Sequence, residues 1–339
     1  MVQKSLFGTA FFMIANYLIS CFQDPKYVLQ LNKVGYKLIC GFLQDMTHPT
    51  NEYPEAFGWS IREQVENRGY VYEEHKIHTP DGYILTAFRI PSLKSQTDSV
   101  VQKQQYPIYM QHGLIDDGGT WFFNNKESCL PFQLVDQGFD VWITNTRGTV
   151  YSNQHEKYTT DDEQFWDFTL DQIAQYDLPS NLDYILTKTG ASQVIYVGHS
   201  QGTTQWFLSN IENQEIHSKF KAFVGVAPVL YVQHMKSFLV KTAQYTDLTN
   251  IMRTISDTIL YVPSIGKIGG YLTHFIPRTV WHFVQLIVGY DDRIHVDLVQ
   301  LPMMSFNDVG GTSTSNMAHW GQMIFSGKLA NIKRHTKRY

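Results

Sequence analysis

A serine between two glycines marks the point where a predicted strand gives way to a predicted helix. Residues 194–197 (Val-Ile-Tyr-Val) form the short apolar run of a buried strand, and the helical pattern after Ser200 carries Trp206–Leu208. The intervening Gly198–Gly202 reads Gly-His-Ser-Gln-Gly. In this strand–turn–helix context, Gly-x-Ser-x-Gly is typical of a nucleophile elbow, a turn that forces the serine into a strained backbone conformation. We expect a side chain at either glycine to clash with the neighbouring strand or helix.

Ser200 in such a turn is predicted to be the nucleophile of an acyl-transfer site. The oxyanion of the tetrahedral intermediate then needs two backbone N–H donors. One donor comes from the residue after the nucleophile and the other from the loop after the third strand, which predicts Gln201 and Leu114. His112 precedes this loop and is expected to orient or pack against it. His199 is expected to be structural and to point away from the Ser200 hydroxyl.

Strands alternate with helices through the middle of the chain. Four apolar strands are predicted, at 107–110, 139–143, 194–197 and 222–229, and helices at 130–137, at 167–187 (with Pro179 marking a break or a new first turn) and after Ser200. Before them, two alternating runs flank Pro80-Asp81-Gly82 and predict a β-hairpin. The predicted fold class is α/β: an α/β-hydrolase with a doubly wound, mostly parallel sheet covered on both faces.

Residues 231–305 depart from this alternation. Apolar side chains recur there at helical spacing with no clear strand between them. We predict a helical cap inserted after the fourth strand, and additional core helices remain the alternative. The predicted organisation is a signal peptide over residues 1–23, a core over 58–230, the cap over 231–305, and a return to the core with a basic tail over 306–339.

The amino terminus has the pattern of a secretory signal peptide. Lys4 precedes an uncharged stretch, Ser5–Gln23, which ends at Asp24. Small and polar residues dilute its apolar centre, so we predict no stable transmembrane span. A signal anchor or a buried N-terminal helix remains the alternative.

Composition excludes some functional classes. The 339 residues are 43% hydrophobic and carry a formal net charge of −4, without the basic surface that nucleic acid binding requires. No Cys-x-x-Cys or His-Glu-x-x-His spacing occurs, so neither a metal nor a cofactor is predicted. Cys21 is expected to leave with the signal, and Cys40 and Cys129 neither demand nor exclude a disulfide.

Several motifs, in order, resemble landmarks of the gastric and lysosomal acid lipases. They are Gln111–Leu114, Gly138–Trp142, Asn145–Gly148, Phe165–Phe168, Tyr176–Pro179, Tyr196–Thr204 and Gly310–Trp320. The resemblance implies hydrolysis of neutral lipid esters, triacylglycerols or steryl esters, at a lipid–water interface through a serine acyl-enzyme. It also implies a secreted or lysosomal location and a lid formed by the aromatic-rich segment after the fourth strand.

The acid and base of a catalytic triad are not found where this resemblance places them. In this fold the chain order is Ser, then Asp or Glu, then His, and in the acid lipases both follow the region resembling Gly310–Trp320. Here no acidic residue follows Asp308.

We therefore expect the triad acid and base, with the last two strands of the sheet, to be absent from this chain and encoded beyond residue 339. Position favours none of the internal histidines as the base, namely His234, His274, His282, His295 and His319, and His335 lies in the basic tail. The alternative is a catalytically inactive lipid-binding or interaction protein.

Overall fold

The computed structural model describes residues 25–49, 52–96, 104–232, 256–261, 265–289, 291, 293–307 and 309–329. The predicted signal peptide, part of the predicted cap (233–255), the end of the basic tail, His234 and His335 lie outside these residues. The helices are α1 (Pro25–Thr47), α2 (Ile61–Glu66), α3 (Leu130–Asp136), α4 (Leu170–Gln172), α5 (Leu178–Thr189), α6 (Gln201–Glu212), α7 (Ile265–Phe275), α8 (Pro277–Val288), α9 (Leu301–Asn307) and α10 (Thr314–Ser326). The strands are β1 (Glu73–His78), β2 (Tyr83–Ile90), β3 (Ile108–Gln111), β4 (Val141–Thr144), β5 (Gln154–His155), β6 (Val194–His199), β7 (Phe220–Val226), β8 (Thr258–Ile259) and β9 (Thr312–Ser313).

The main sheet has the order β1-β2-β4-β3-β6-β7, with β5 beside β2. β4, β3, β6 and β7 run parallel, whereas β1, β2 and β4 pair antiparallel. The predicted hairpin is confirmed: His78 pairs with Ile84, and Gly82 in the connecting turn has a φ of 97°. This is the α/β-hydrolase architecture that the sequence predicts.

Side chains that alternate along β4 divide the core into two layers. Trp142 belongs to a cluster with Phe168 and Tyr196, while Val141 and Ile143 belong to a second cluster on the opposite face. The prediction that both faces of the sheet are covered is therefore confirmed for the central strands.

β7 does not follow that prediction. Val224 and Val226 are 46% and 39% exposed. β7 is also the edge strand of the described sheet. Because these two side chains are exposed, the expectation that both faces are covered is wrong for this part of β7. The strand also ends earlier than predicted, because Ala227 turns the chain with a φ of 46°.

The predicted helix over 167–187 is interrupted. A π-helical turn, Ile173–Asp177, separates α4 from α5. Pro179 lies in the first turn of α5, where its missing N–H is tolerated, as the sequence predicts for a new first turn. The π turn brings the buried Asp177 to the loop after β4.

Helices α7, α8 and α9 occupy the described part of the predicted cap. β8 precedes these helices and pairs antiparallel with β9, which follows them. The sequence gives no clear strand at either position. Two paired residues are too few to produce a recognisable alternation. Among the described residues, the helices lack the length and apolar character of a membrane span. Cys40 and Cys129 are both free thiols.

Asp45 of α1 caps the amino terminus of α8. Its buried carboxylate accepts hydrogen bonds from the Thr279 N–H (3.0 Å) and hydroxyl (2.8 Å) and pairs with Arg278 (3.1 Å). These groups satisfy N–H donors that α8 cannot satisfy internally. One side chain therefore joins α1 to the predicted cap.

Asp45→Ala is expected to lower the free energy of unfolding by about 2 kcal/mol, because it leaves partly buried donors without an acceptor. Urea unfolding measures the loss, and hydrogen exchange should show faster exchange in α1 and α8. The exposed Glu52 offers Glu52→Ala as a control. An Asp45 variant as stable as this control would contradict the capping role.

Candidate active site

Ser200 lies in the turn between β6 and α6 in a strained backbone conformation. Its φ is 50° and its ψ is −116°, values that a residue with a side chain rarely adopts. The Ser200 N–H donates to the Val226 carbonyl at the end of β7 (3.0 Å). The strained elbow predicted from the sequence is therefore present, at the carboxyl edge of the parallel strands.

The two glycines of the elbow allow very close packing. A Cβ at Gly198 would lie 2.9 Å from the carbonyl carbon of Gly202, and one at Gly202 would lie 2.7 Å from the Gln111 oxygen and 2.9 Å from the His112 oxygen. The predicted clashes with helix and strand are confirmed. This contact brings the end of β3 and its following loop against Ser200.

The loop after β3 covers the nucleophile position. A Cβ at Gly113 would lie 3.2 Å from the Ser200 Cβ. Leu114, the next residue of the loop, therefore lies beside the serine. Gln201 is the first residue of α6, where the N–H has no acceptor within the helix. The structure thus brings together the three residues that the sequence selects, and their roles remain proposals.

His112 fixes the peptide that carries the Leu114 N–H. The buried His112 ring accepts a hydrogen bond at Nε2 from the Thr146 N–H (3.0 Å), so the proton is on Nδ1, which donates to the Gly113 carbonyl (2.9 Å). The Gly113 C=O and the Leu114 N–H belong to one planar trans peptide and point in opposite directions. Holding the carbonyl therefore aims the N–H.

Burial lowers the pKa of His112 to about 4, which keeps the ring neutral and Nε2 available as an acceptor. The orienting role expected for His112 has this physical basis.

A distant segment holds the other side of the same loop. Ile115, a β-branched residue, has a φ of 62°, and its carbonyl accepts from the N–H groups of Gly310 (2.8 Å) and Gly311 (3.0 Å). Leu114 therefore lies between two anchored peptides. Residues 310–320 were recognised from the sequence only as a landmark of the resemblance, because a contact across almost 200 positions leaves no local pattern.

The side chain of Gln201 is also fixed. Its buried Oε1 accepts hydrogen bonds from Asn316 Nδ2 (3.0 Å) and Trp320 Nε1 (2.7 Å) of α10. Two donors on one helix hold the first residue of α6 in place. Neither Asn316 nor Trp320 was identified as a supporting residue from the sequence.

A buried ionic group supports the loop after β4, which holds His112 through Thr146. Arg147 is fully buried, its Nε donates to Asp177 (2.7 Å), and its guanidinium also pairs with Asp81 (2.5 Å). The Arg147 N–H donates to Asp177 as well (3.0 Å). With both carboxylates in contact, the arginine charge is compensated, which burial requires.

The internal histidines are spread over the structure. The His274 ring stacks on Tyr53 with the ring centroids 3.6 Å apart, and His282 contacts Gln285. His295 is exposed, and Nδ1 of the buried His319 lies 3.9 Å from Asp171 Oδ1. These positions do not select a base, so the expectation about the triad acid and base stays a prediction. Among the described residues, no group of three or more His, Cys, Asp or Glu side chains is arranged to hold a metal ion.

Comparison with known proteins identifies the family. The family model described as a partial alpha/beta-hydrolase lipase region matches residues 61–125. The family model of the alpha/beta hydrolase fold matches residues 106–250. Lipase member K of Homo sapiens is 34% identical over 289 residues, which cover 82% of this chain and 70% of that protein. The gastric triacylglycerol lipase of Mus musculus is 32% identical over 287 residues, covering 81% of this chain and 70% of that protein.

The lysosomal acid lipase/cholesteryl ester hydrolase of Macaca fascicularis is 33% identical over 272 residues, covering 78% of this chain and 66% of that protein. Identity at this level over two thirds or more of two of these lipases agrees with the sheet, the elbow and the loop described above. The chain belongs to the family of the gastric and lysosomal acid lipases, with the α/β-hydrolase fold.

Proposed function

We propose that this protein is a serine ester hydrolase of neutral lipid esters. The observation that carries the proposal is the strained Ser200 at the β6–α6 turn (φ 50°), with the Gly113–Leu114 loop packed against it. Backbone strain of this kind clusters at functional sites. Ser200 is the proposed nucleophile, and the N–H groups of Leu114 and Gln201 are the proposed oxyanion donors.

In the proposed reaction the Ser200 Oγ attacks the ester carbonyl carbon. Its proton passes to a base, and the carbonyl oxygen becomes an oxyanion that the two N–H groups stabilise. The C–O bond to the alcohol then breaks, the alcohol takes up a proton, and water later releases the acyl group from Ser200. Because the described histidines do not select a base, we assign roles only to Ser200, Leu114 and Gln201.

The substrate class is inferred from two sources. The relatives named above include a triacylglycerol lipase and a cholesteryl ester hydrolase. In addition, α7 exposes one apolar face, formed by Ile268, Tyr271, Leu272 and Phe275, which are each more than half exposed. Spacings of three and four residues place these side chains on one side of the helix. Such a face favours work at a lipid–water interface.

Oleate release from emulsified trioleoylglycerol and cholesteryl oleate tests the function. The full chain should release oleate from at least one emulsion faster than the Ser200→Ala variant does, while both variants unfold at similar temperatures. Equal release by the two proteins would contradict the proposal.

We also infer that the protein acts outside the cytosol, in the secretory or lysosomal lumen. The support is the names of its gastric and lysosomal relatives and the pattern of residues 1–23. Fractionation of cells that produce the full chain with a carboxyl-terminal tag tests this. Recovery in the cytosol alone would contradict it.

A further inference from the structure

Three groups from two different segments meet at the Cα of Gly113. A Cβ added there would lie 2.5 Å from Asp116 Oδ2, 3.1 Å from His199 Nδ1 and 3.2 Å from the Ser200 Cβ. Asp116 belongs to the loop after β3, whereas His199 and Ser200 belong to the elbow. The position next to the nucleophile is therefore occupied by a carboxylate and an imidazole, and only glycine fits between them.

The Asp116 carboxylate contacts both segments through one oxygen. Oδ2 accepts a hydrogen bond from the Gly113 N–H (3.1 Å) and lies 3.4 Å from His199 Nδ1. The second separation is a polar contact rather than a hydrogen bond, and it is an ion pair when the imidazole is protonated. The Asp116 side chain is 15% exposed and that of His199 is 33% exposed, so water screens the pair only partly.

We propose that Asp116 is a positioning residue that ties the oxyanion loop to the nucleophile elbow, and this inference rests on the proposed function. The two proposed oxyanion donors lie on these two segments, Leu114 on the loop and Gln201 in the elbow. An oxyanion hole works only when both donors are held at hydrogen-bond distance from one point. A group that links the segments therefore controls the distance between the donors.

The other hydrogen bonds that anchor the loop do not connect it to the elbow. His112 holds the Gly113 carbonyl, and Gly310 and Gly311 hold the Ile115 carbonyl, but these contacts lead away from the elbow. On the loop side, Asp116 fixes the N–H of Gly113, the residue before Leu114. On the elbow side, it faces the residue directly before Ser200.

The test is the rate at which a fluorophosphonate modifies Ser200 in the full chain. This reaction forms an adduct whose phosphonyl oxygen is stabilised by the same two N–H donors as the oxyanion. Saturation kinetics separate the maximal labelling rate from the binding constant. Asp116→Ala, which removes both contacts, should lower the maximal rate about a hundredfold, with the binding constant within about twofold of wild type. Asp116→Asn, which keeps an acceptor oxygen for the Gly113 N–H, should have a maximal labelling rate about tenfold higher than that of Asp116→Ala.

A double-mutant cycle tests the link to the elbow and still decides the matter if Asp116→Ala does not fold. Asp116→Asn and His199→Gln should each slow labelling, and the double variant should be no slower than the slower single variant, because the two side chains act through one contact. The exposed Asp161 gives a control, Asp161→Asn, which should label at the wild-type rate.

Labelling of Asp116→Ala at the wild-type rate would overturn the inference, and so would multiplicative effects in the double variant. Both outcomes differ from a failure of the proposed function, in which wild-type Ser200 itself would not be labelled.

Discussion

Gly202→Ala is expected to destabilise the protein and to slow the modification of Ser200 by a fluorophosphonate about a hundredfold or more. The added Cβ would lie 2.7 Å and 2.9 Å from two backbone oxygens, those of Gln111 and His112. Neither oxygen can rotate away, because both are backbone carbonyls, one at the last residue of β3 and one at the residue directly after it. The helix and strand must separate, at a cost of about 1–3 kcal/mol, and the loop with Leu114 moves with them.

Urea unfolding and fluorophosphonate kinetics measure the two effects of this variant. Gly35→Ala is the matched control, since a Cβ at this position in α1 meets nothing within 4 Å. It should gain up to about 1 kcal/mol from helix propensity and label normally. If Gly202→Ala behaves like this control, the close packing of the elbow is not what positions the loop.

Asp117→Asn is expected to raise the free energy of unfolding at pH 7 by as much as about 4 kcal/mol. Asp117 is buried, and burial raises its pKa to about 8, with the hydrogen bond from the Gly119 N–H opposing and the neighbouring Asp116 adding to the rise. The folded protein therefore keeps a proton that the unfolded chain releases above the ordinary pKa. The resulting stabilisation is present at low pH and is lost as the pH rises toward about 8. Asparagine keeps the acceptor oxygen and carries no charge.

His112 gives the opposite dependence, because its pKa is lowered to about 4. The stability that the neutral His112 contributes is lost as the pH falls from 6.5, the ordinary pKa of histidine, to about 4. In wild type the two groups oppose each other, so stability should change little between pH 5 and pH 7. In Asp117→Asn only the histidine remains, and stability should rise by about 2 kcal/mol over this interval.

Urea unfolding at pH 5 and pH 7 measures both expectations for Asp117→Asn. A variant no more stable than wild type at pH 7 would show that Asp117 is not held in its protonated form. Asp161→Asn, at an exposed position, controls for the loss of one negative charge and should change stability by less than about 0.5 kcal/mol at either pH.

Local patterns account for the features that were predicted from the sequence. The elbow around Ser200, the hairpin around Gly82 and the strand–helix alternation depend on residues that are close together in the chain. Glycine spacing and hydrophobic period record such structure directly. The loop residue Leu114 could be selected because it follows a predicted strand at a fixed distance.

The supports of the site could not be predicted in the same way. Gly310 and Gly311 hold the loop, Trp320 holds Gln201, and Asp177 holds Arg147, all across long sequence separations. Such contacts depend on how elements pack, and packing leaves no periodic signal in one sequence. The sequence also did not predict the exposure of β7, because an apolar run looks the same in a central strand and in an edge strand.

The most direct test of the central claim is to map the site of fluorophosphonate modification in the full chain. Intact mass and peptide mapping should show one adduct, on Ser200, that is absent from Ser200→Ala and retained in Ser128→Ala, a change at an exposed serine. An adduct on a different residue, or folded wild-type protein in which Ser200 stays unmodified, would contradict the assignment of Ser200 as the nucleophile.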